Sequence, residues 1–383
     1  MNCNICSTLL GDPIFESARS LTSLCDIYPG KTCIRICKQC GHVQTDSIEN
    51  IECYYDKEYT ILINSEEEDQ IYEVREGKTI FRTEHQVNVF TSKIPLTKEI
   101  KILDFGCAKS SMMRTLHDKY PGIDLWLFDV SDRYTHFWGK FIQPGKWATY
   151  TIPDEWSGQF DIITSFFSLE HIVQPAEVLT QIHGLLKPGG LFYIIVPDIF
   201  TNIGDFLVID HVNHFTKSSI SQLLASTGFS VTEIDEDSHT GAFVIIAKSL
   251  NDHAAASLIQ GNKYVKDEMN KINNITNYWT KLGKRIHKFE SEISENATIA
   301  IYGAGFYGAF IRANLQNPNR IGYIIDQNPF LNNKNIDGIP VITPSELPEN
   351  LDTVLVGLNP AHGHDIISGI PSLASRNINY FFL

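Results

Sequence analysis

Four of the eight cysteines stand in two pairs, Cys3-Asn-Ile-Cys6 and Cys37-Lys-Gln-Cys40, with thirty residues between the pairs. Two such turns can bring four thiolates onto one tetrahedral ion, and Zn²⁺ is the ion this donor set selects. Gly41 relieves the backbone just after the second pair. The alternative is four unrelated buried thiols, and the intact pairing favours the ion. Cys25, Cys33 and Cys53 have no partner at ligand spacing and read as core or loop thiols. Zinc modules often bind nucleic acid, but residues 1–70 carry five Lys/Arg against twelve Asp/Glu. That acidity predicts a structural staple or a substrate lid. The run Glu66-Glu67-Glu68-Asp69 reads as a solvated helix start or loop.

A second set of chemically able residues sits at strand ends. The segments KILDFGCAKSS, LWLFDVSD, FDIITSFFSLEHI and LLKPGGLFYIIVPD follow one another between Lys101 and Asp198. Each is an apolar strand that stops at a polar or glycine-bearing turn, as a doubly wound α/β sheet requires. Ligands bind outside the carboxyl ends of such strands, so Asp104, Asp129 and Ser165 should face one crevice. Asp129 ends its strand twenty-five residues after Asp104, where a carboxylate can accept from both hydroxyls of a ribose; its other reading is a strand-end cap. Gly106 lets the backbone pass close to a ligand, while Ala108 and Ser110 stand where a full glycine motif would have Gly. Asp104 can anchor that turn or reach an ammonium through water. Phe166 either lines the pocket or packs. The ordered set predicts a pocket for S-adenosylmethionine, with Lys187-Pro188-Gly189-Gly190 as a helix stop and reversal.

Methyl transfer from a sulfonium is an in-line displacement, so the protein chiefly positions donor and acceptor. A neutral acceptor must also lose a proton, and histidine titrates near the working pH. His211, His214 and Asp210 lie in VIDHVNHFTKSS and offer such a base and a carboxylate beside it. Adjacent residues of a strand face opposite ways, so Asp210 and His211 need a loop here to act together. Their other reading is capping and packing before the helix that starts at Thr216-Lys217-Ser218-Ser219.

A third motif, Gly303-Ala304-Gly305-Phe306-Tyr307-Gly308, follows the strand IAIY, precedes a helix, and has Asp326 at the end of the next strand. Alone this pattern places a phosphate at a helix N-terminus and an acid on ribose, and makes an NAD-dependent oxidoreductase the rival enzyme class. Against NAD, few residues follow Gly303 for the second half of a dinucleotide fold. A non-enzymatic binding module is the third class, with both glycine loops merely tightening turns.

Four stretches must position these residues: a zinc-binding domain over 1–70, a methyltransferase domain over 71–249, a linking helix within 250–296, and a smaller Rossmann-like α/β domain over 297–383. Residues 71–95 read as helices leading into the sheet. In the linking stretch Val265, Met269, Ile272, Ile275, Trp279, Leu282, Ile286, Phe289 and Ile293 recur at steps of three and four, an apolar stripe for packing rather than a coiled-coil seam. The 383-residue chain has a formal charge of −14, which disfavours nucleic acid or an anionic membrane as partner. No apolar run is long enough to span a membrane, the first residues lack the basic start of a signal peptide, and the cytoplasm is the expected home. A small-molecule substrate is expected, and the oligomeric state stays open.

The order of a four-cysteine module, a methyl-donor domain with SLEHIVQP and LLKPGG, and a C-terminal GxGxxG domain resembles the sugar C-methyltransferases over essentially the whole chain. Those enzymes act on nucleotide-linked keto-deoxysugars. The resemblance implies His211 as catalytic base with Asp210 in the place of a glutamate beside it, and His171 as a further active-site histidine. Val208 and Ile209 stand where that family has tyrosine and histidine. The segment Glu58-Tyr59-Thr60-Ile61-Leu62-Ile63-Asn64-Ser65 takes the place of a tyrosine-rich stretch that looks toward the sugar. The C-terminal glycine loop, with Gly303, Gly305, Gly308 and Asp326, is implied to help hold the nucleotide-sugar. Carbon is the favoured acceptor and oxygen the alternative.

Overall fold

A computed structural model describes residues 1–59, 65–75, 77–251 and 262–383. The chain divides into two compact units: one of Met1–Pro13, Ile34–Phe206 and Asp210–Lys271, the other of Ile14–Cys33, Leu207–Ile209 and Ile272–Leu383. Part of the cysteine-rich region, residues 14–33, thus belongs with the C-terminal unit.

In the first unit Ile34–Ile36 of strand β1 (Thr32–Ile36) pair antiparallel with β2 (Val43–Thr45) on either side of the second cysteine turn. Five parallel strands follow: β3 (Lys101–Phe105), β4 (Asp124–Asp129), β5 (Trp147–Thr149), β6 (Phe160–Phe166) and β7 (Leu186–Pro197). The short strand β8 (Asn213–His214) pairs with β2, and β9 (Phe229–Asp235) and β10 (Ala242–Ser249) complete the large sheet. Its order is β5-β4-β3-β6-β7-β10-β9, with β10 antiparallel to both neighbours. The direction of winding reverses between β3 and β6, which opens a crevice at their carboxyl ends. Asp104 is the residue before the last of β3 and Thr164 lies near the end of β6, so both reach that crevice.

The strands read as unbroken apolar runs because both faces are covered. Along β7, Phe192, Ile194 and Val196 enter one core, while Tyr193 and Ile195 enter the core on the opposite face. One of these cores receives α1 (Arg82–Lys93) and α2 (Ser111–Lys119) through Phe90 and Met113; the other receives α3 (Pro175–Leu185) and α4 (Lys217–Ser226) through Leu179 and Leu223. Helix α4 starts where its sequence predicts: Ser219 N–H donates to Thr216 Oγ1 at 3.1 Å, and Thr216 N–H donates to Ser219 Oγ at 2.9 Å.

Residues 71–81 depart from the expected helix. They form a two-stranded hairpin, Ile71–Arg75 with Lys78–Phe81, turning at Gly77 with φ +78°. Pairing of Ile71 with Phe81 and Glu73 with Ile80, set by a glycine in the left-handed region, outweighs the helical reading of this short stretch.

Helix α5 (Asn262–Glu292) is the predicted amphipathic helix, and Val265, Ile272, Ile275, Trp279, Leu282 and Ile286 along its apolar stripe are buried. Residues 252–261 of the expected linking stretch lie outside the described residues. In the second unit β11 (Thr298–Tyr302) is followed by α6 (Phe306–Asn314) and then by β12 (Ile321–Ile325), β13 (Asn335–Ile336), β14 (Ile339–Ile342), β15 (Leu351–Val356) and β16 (Asn379–Phe382). The sheet order is β13-β14-β12-β11-β15-β16, parallel except for the β13–β14 hairpin. This is a second Rossmann-like sheet, whose winding reverses between β11 and β15. Among the described residues no helix is long and apolar enough to cross a membrane.

Candidate active site

Cys3, Cys6, Cys37 and Cys40 converge, with all four sulfurs within 4.8 Å of one another. The Cys3–Cys40 and Cys6–Cys37 sulfur pairs lie 3.6 and 3.5 Å apart. Four thiolates bound tetrahedrally at the usual Zn–S length would sit roughly 3.7 Å apart, so the cluster already has the dimensions of the ion it would hold. The second turn closes through Cys37 O, which accepts from Gly41 N–H at 2.9 Å with Gly41 at φ +74°. The packed thiols act on one another: hydrogen bonds from Cys3 and then Cys40 lower Cys37, while Cys37 raises Cys3, and Cys3 and Cys37 both raise Cys40, so four thiolates can coexist here only around a cation.

At the crevice of the large sheet the turn after β3 is an unusual backbone path. Gly106, Ala108 and Ser110 all have positive φ, at 70°, 44° and 56°. Gly106 must be glycine, because a Cβ there would lie 2.3 Å from Ser168 Oγ. Asp129 holds the turn from the next strand: its Oδ2 accepts from Ala108 N–H at 2.7 Å, and its Oδ1 accepts from Ser131 N–H at 3.1 Å. Each oxygen keeps a second lone pair, the number a ribose diol requires. Asp104 lies deeper, accepting from Ser110 Oγ and Thr164 Oγ1, each at 2.9 Å, and so ties the turn to the neighbouring strand across the switch point. Burial pushes Asp104 up to about 7 and Asp129 up to about 6. A cationic ligand near them would favour their charged forms. Ser165 Oγ is buried at the end of β6 and has no hydrogen-bond partner among the described residues. Phe166 is half-buried and its ring packs 5.9 Å from Tyr193. These residues fit S-adenosylmethionine.

A second cluster forms where the segment after β6 meets the segment before α4. Asp205 bridges two histidines, with Oδ1 2.5 Å from His211 Nδ1 and Oδ2 2.9 Å from His214 Nδ1. The other ring nitrogen of His214 is 2.7 Å from Thr45 Oγ1. Burial works against charge on His211, but the Asp205 carboxylate outweighs it and raises the imidazole to about 9. Burial alone would likewise raise Asp205, yet His211 and His214 hold its carboxyl well below the usual range. The His171 ring stands edge-on to His211, centroids 4.6 Å apart. Tyr55 Oη donates to Asp210 O at 2.7 Å, and His171 Nδ1 lies 2.6 Å from that hydroxyl and 3.0 Å from the same carbonyl. With the tyrosine proton spent on the carbonyl, His171 donates from Nδ1 and keeps Nε2 bare. Burial, and then His211, lower His171 to about 4, so it stays neutral. Tyr59 packs on His171 with ring centroids 5.6 Å apart, whereas residues 60–64 of the expected sugar-facing stretch lie outside the described residues.

The structure therefore brings His171, His211 and the backbone of Asp210 together, but the carboxylate on His211 is Asp205. The Asp210 side chain lies on the other side, 4.0 Å from His171 Nδ1. Glu170 also joins the cluster: it is 1% exposed and neither carboxylate oxygen has a hydrogen-bond partner among the described residues. Burial pushes Glu170 up to about 8. Asp205 and Tyr55 carry no motif; Glu170 lies in the SLEHI stretch read for His171, and its one signal is an acid placed directly after the apolar strand end at Phe166, Phe167 and Leu169.

In the second unit the turn after β11 is tighter. Gly303 has φ +100°, and Asp326 accepts from Ala304 N–H at 2.8 Å and from Asn328 N–H at 2.8 Å. A Cβ on Gly308 would lie 2.0 Å from Gly303 O, and one on Gly303 would lie 2.5 Å from Gly357 O, whereas nothing lies within 4 Å of a Cβ on Gly305.

Residues 82–234 match the family described as methyltransferase domain. The chain is 28% identical over 99 residues to a ubiquinone biosynthesis O-methyltransferase of Pseudomonas aeruginosa, which covers 24% of this chain and 43% of that protein. It is 44% identical over 98 residues to the enzyme of the same name from Pseudomonas paraeruginosa, covering 24% and 42%. The chain thus spans about two fifths of the length of the curated relatives it matches. Among solved structures, a SAM-dependent methyltransferase from Aquifex aeolicus aligns with TM-score 0.35 and 16% identity over 43% of this chain and 89% of that one. The CurJ carbon methyltransferase aligns with TM-score 0.34 and 16% identity over 42% and 51%. The first unit carries a methyltransferase domain.

Proposed function

We propose that the protein is a S-adenosylmethionine-dependent methyltransferase acting on a nucleotide-linked keto-sugar, with the carbon beside the ketone as acceptor. S-adenosylmethionine supplies an electrophilic methyl group on a sulfonium. Asp129 accepts from the ribose hydroxyls, Asp104 and Gly106 hold the turn, and Ser165 offers its unpartnered hydroxyl to the donor. His211 takes the proton from the acceptor carbon through Nε2, while Asp205 holds its Nδ1 proton and stabilises the resulting imidazolium. Tyr55 and the Asp210 carbonyl fix the His171 ring, which stands beside His211 and faces the developing charge. In the C-terminal unit Asp326 and the open turn at Gly305 are assigned to the nucleotide portion, and Tyr59 to the sugar. The four cysteines are assigned one structural Zn²⁺.

The observation that supports this reading is the coexistence of a strand-end carboxylate turn at the switch point with a buried Asp–His–His relay in the same unit. Oxygen as acceptor is the second reading, supported by the O-methyltransferase name of the curated relatives. The test is incubation with a keto-sugar nucleotide in heavy water without S-adenosylmethionine. Carbon chemistry washes deuterium into the position beside the ketone, and both His211→Ala and Asp205→Asn abolish or strongly slow it. Product formed with the donor present, without exchange and with the methyl on oxygen, overturns the carbon assignment.

A further inference from the structure

Glu170 poses a problem that methyl transfer leaves untouched. A carboxylate 1% exposed, with neither oxygen hydrogen-bonded among the described residues, is costly unless it loses its charge or meets a cation. The imidazole of His211 and the guanidinium of Arg82 already favour its charged form without hydrogen-bonding either oxygen, and the groups beside it include metal ligands. One ligand atom from each of Glu170, His171 and His211 lies within 4.8 Å of the other two. Both histidines have Nδ1 committed, His211 to the Asp205 carboxylate at 2.5 Å and His171 to Tyr55 Oη at 2.6 Å and the Asp210 carbonyl at 3.0 Å. In metal-binding imidazoles one nitrogen ligates while the other is fixed in this manner by a carboxylate or a carbonyl. The Nε2 atoms remain, and two imidazoles with one carboxylate suit a borderline divalent ion.

We propose that Glu170, His171 and His211 bind one divalent transition-metal ion of the Zn²⁺ type, at a site separate from the four cysteines and with open coordination positions. Three protein ligands leave room for water or another oxygen donor, whereas the cysteine site is closed. Occupancy engages Nε2 of His211, the same lone pair that would take the substrate proton. The ion and the base therefore exclude one another, and the ion acts as an inhibitor of the proposed reaction. The existence of the site does not depend on the methyl-transfer reading; only the inhibition rests on it.

The test uses the full chain, stripped with a chelator and titrated with Zn²⁺ and with Co²⁺ against a competing chelator. Two equivalents are expected. Cobalt in the cysteine site shows strong thiolate charge-transfer absorption, and the second equivalent adds weaker bands without it. Glu170→Gln should weaken only the second equivalent, by more than a hundredfold, and Asp205→Asn should weaken it about ten- to a hundredfold by releasing the His211 ring. Circular dichroism and retained cysteine-site cobalt spectra establish that both variants are folded. A single equivalent in the wild-type chain, or a second equivalent indifferent to both substitutions, overturns the site. Added Zn²⁺ should suppress deuterium exchange in step with the second equivalent. Exchange that persists at full occupancy overturns the inhibition and the base assignment together while leaving the metal site standing.

Discussion

The two units solve the same turn in different ways. In each, the first glycine after the first strand donates to the carbonyl before a strand-end aspartate: Gly106 to Phe128 O at 2.9 Å, and Gly303 to Ile325 O at 2.8 Å. In each, that aspartate then accepts two backbone amides, one from the turn and one from two residues beyond itself. The first unit spends five residues between Phe105 and Ser111, buries Asp129 and seats Ala108 and Ser110 at positive φ without glycine. The second spends three residues between Tyr302 and Phe306 and leaves Asp326 half-buried. The complete GxGxxG spacing belongs to the second unit and the deeper carboxylates to the first. A glycine pattern therefore reports how tightly a strand and a helix approach before it reports any ligand.

That view is most exposed to failure at Gly308. Its missing Cβ faces backbone atoms of Gly303, with the carbonyl oxygen 2.0 Å away, and backbone cannot rotate aside. Gly308→Ala should destabilise the C-terminal unit by about 3 kcal/mol or more, read as faster hydrogen exchange along β11 and α6. Native-like protection in that variant would mean that this glycine is there for something other than packing.

The next largest effect belongs to Asp129. Asp129→Ala leaves the amides of Ala108 and Ser131 without their acceptor and removes the expected ribose partner. Affinity for S-adenosylmethionine should fall about ten- to a hundredfold, roughly 1–3 kcal/mol, in calorimetry. The matching change in the other unit, Asp326→Ala, removes the same pair of hydrogen bonds from a wetter site. It should cost about 1 kcal/mol of stability in urea unfolding, since water can replace part of what is lost. Equal losses of stability for Asp129→Ala and Asp326→Ala in the same urea unfolding measurement would erase the distinction drawn between a buried turn and an open one.

What could be read from the sequence follows the range over which each feature is determined. The cysteine turns, the strand-end aspartates and the Thr216 cap are set by residues within a few positions of one another, and spacing carries them. The doubly wound sheets were legible for the same reason, as apolar runs ending at turns. The Asp205–His211–His214 relay was not, because the partner lies six and nine residues away across a loop whose path no motif encodes. Sequence adjacency instead points to Asp210, but Asp210 sits in a turn and its carboxylate lies 4.0 Å from His171 Nδ1, while His211 meets Asp205. Glu170 was hidden because burial depends on everything packed around it. The hairpin at 71–81 is not legible because its strands are only five and four residues long and its pairing rests on the single turn at Gly77.

The smallest effect on stability is the most informative one for function. Gly305 lies at φ −81°, ψ −162°, a conformation open to any residue, and a Cβ there would meet nothing within 4 Å. Neither packing nor backbone strain demands glycine at this position, unlike Gly303 and Gly308. Gly305→Ala should leave stability within about 0.5 kcal/mol of the natural chain in urea unfolding. Gly305→Val should do the same and also spare S-adenosylmethionine binding, because the first unit's turn does not use it. If the open space admits the nucleotide portion of the substrate, Gly305→Val should raise KM for the keto-sugar nucleotide while kcat changes little, the mark of lost ground-state binding. If the turn serves NAD, stoichiometric NADH binding with a micromolar constant should appear in fluorescence and vanish in Gly305→Val. A KM unchanged in Gly305→Val, with no NADH binding in the natural chain, would leave the second glycine turn as pure strand–helix packing and remove the nucleotide assignment from it.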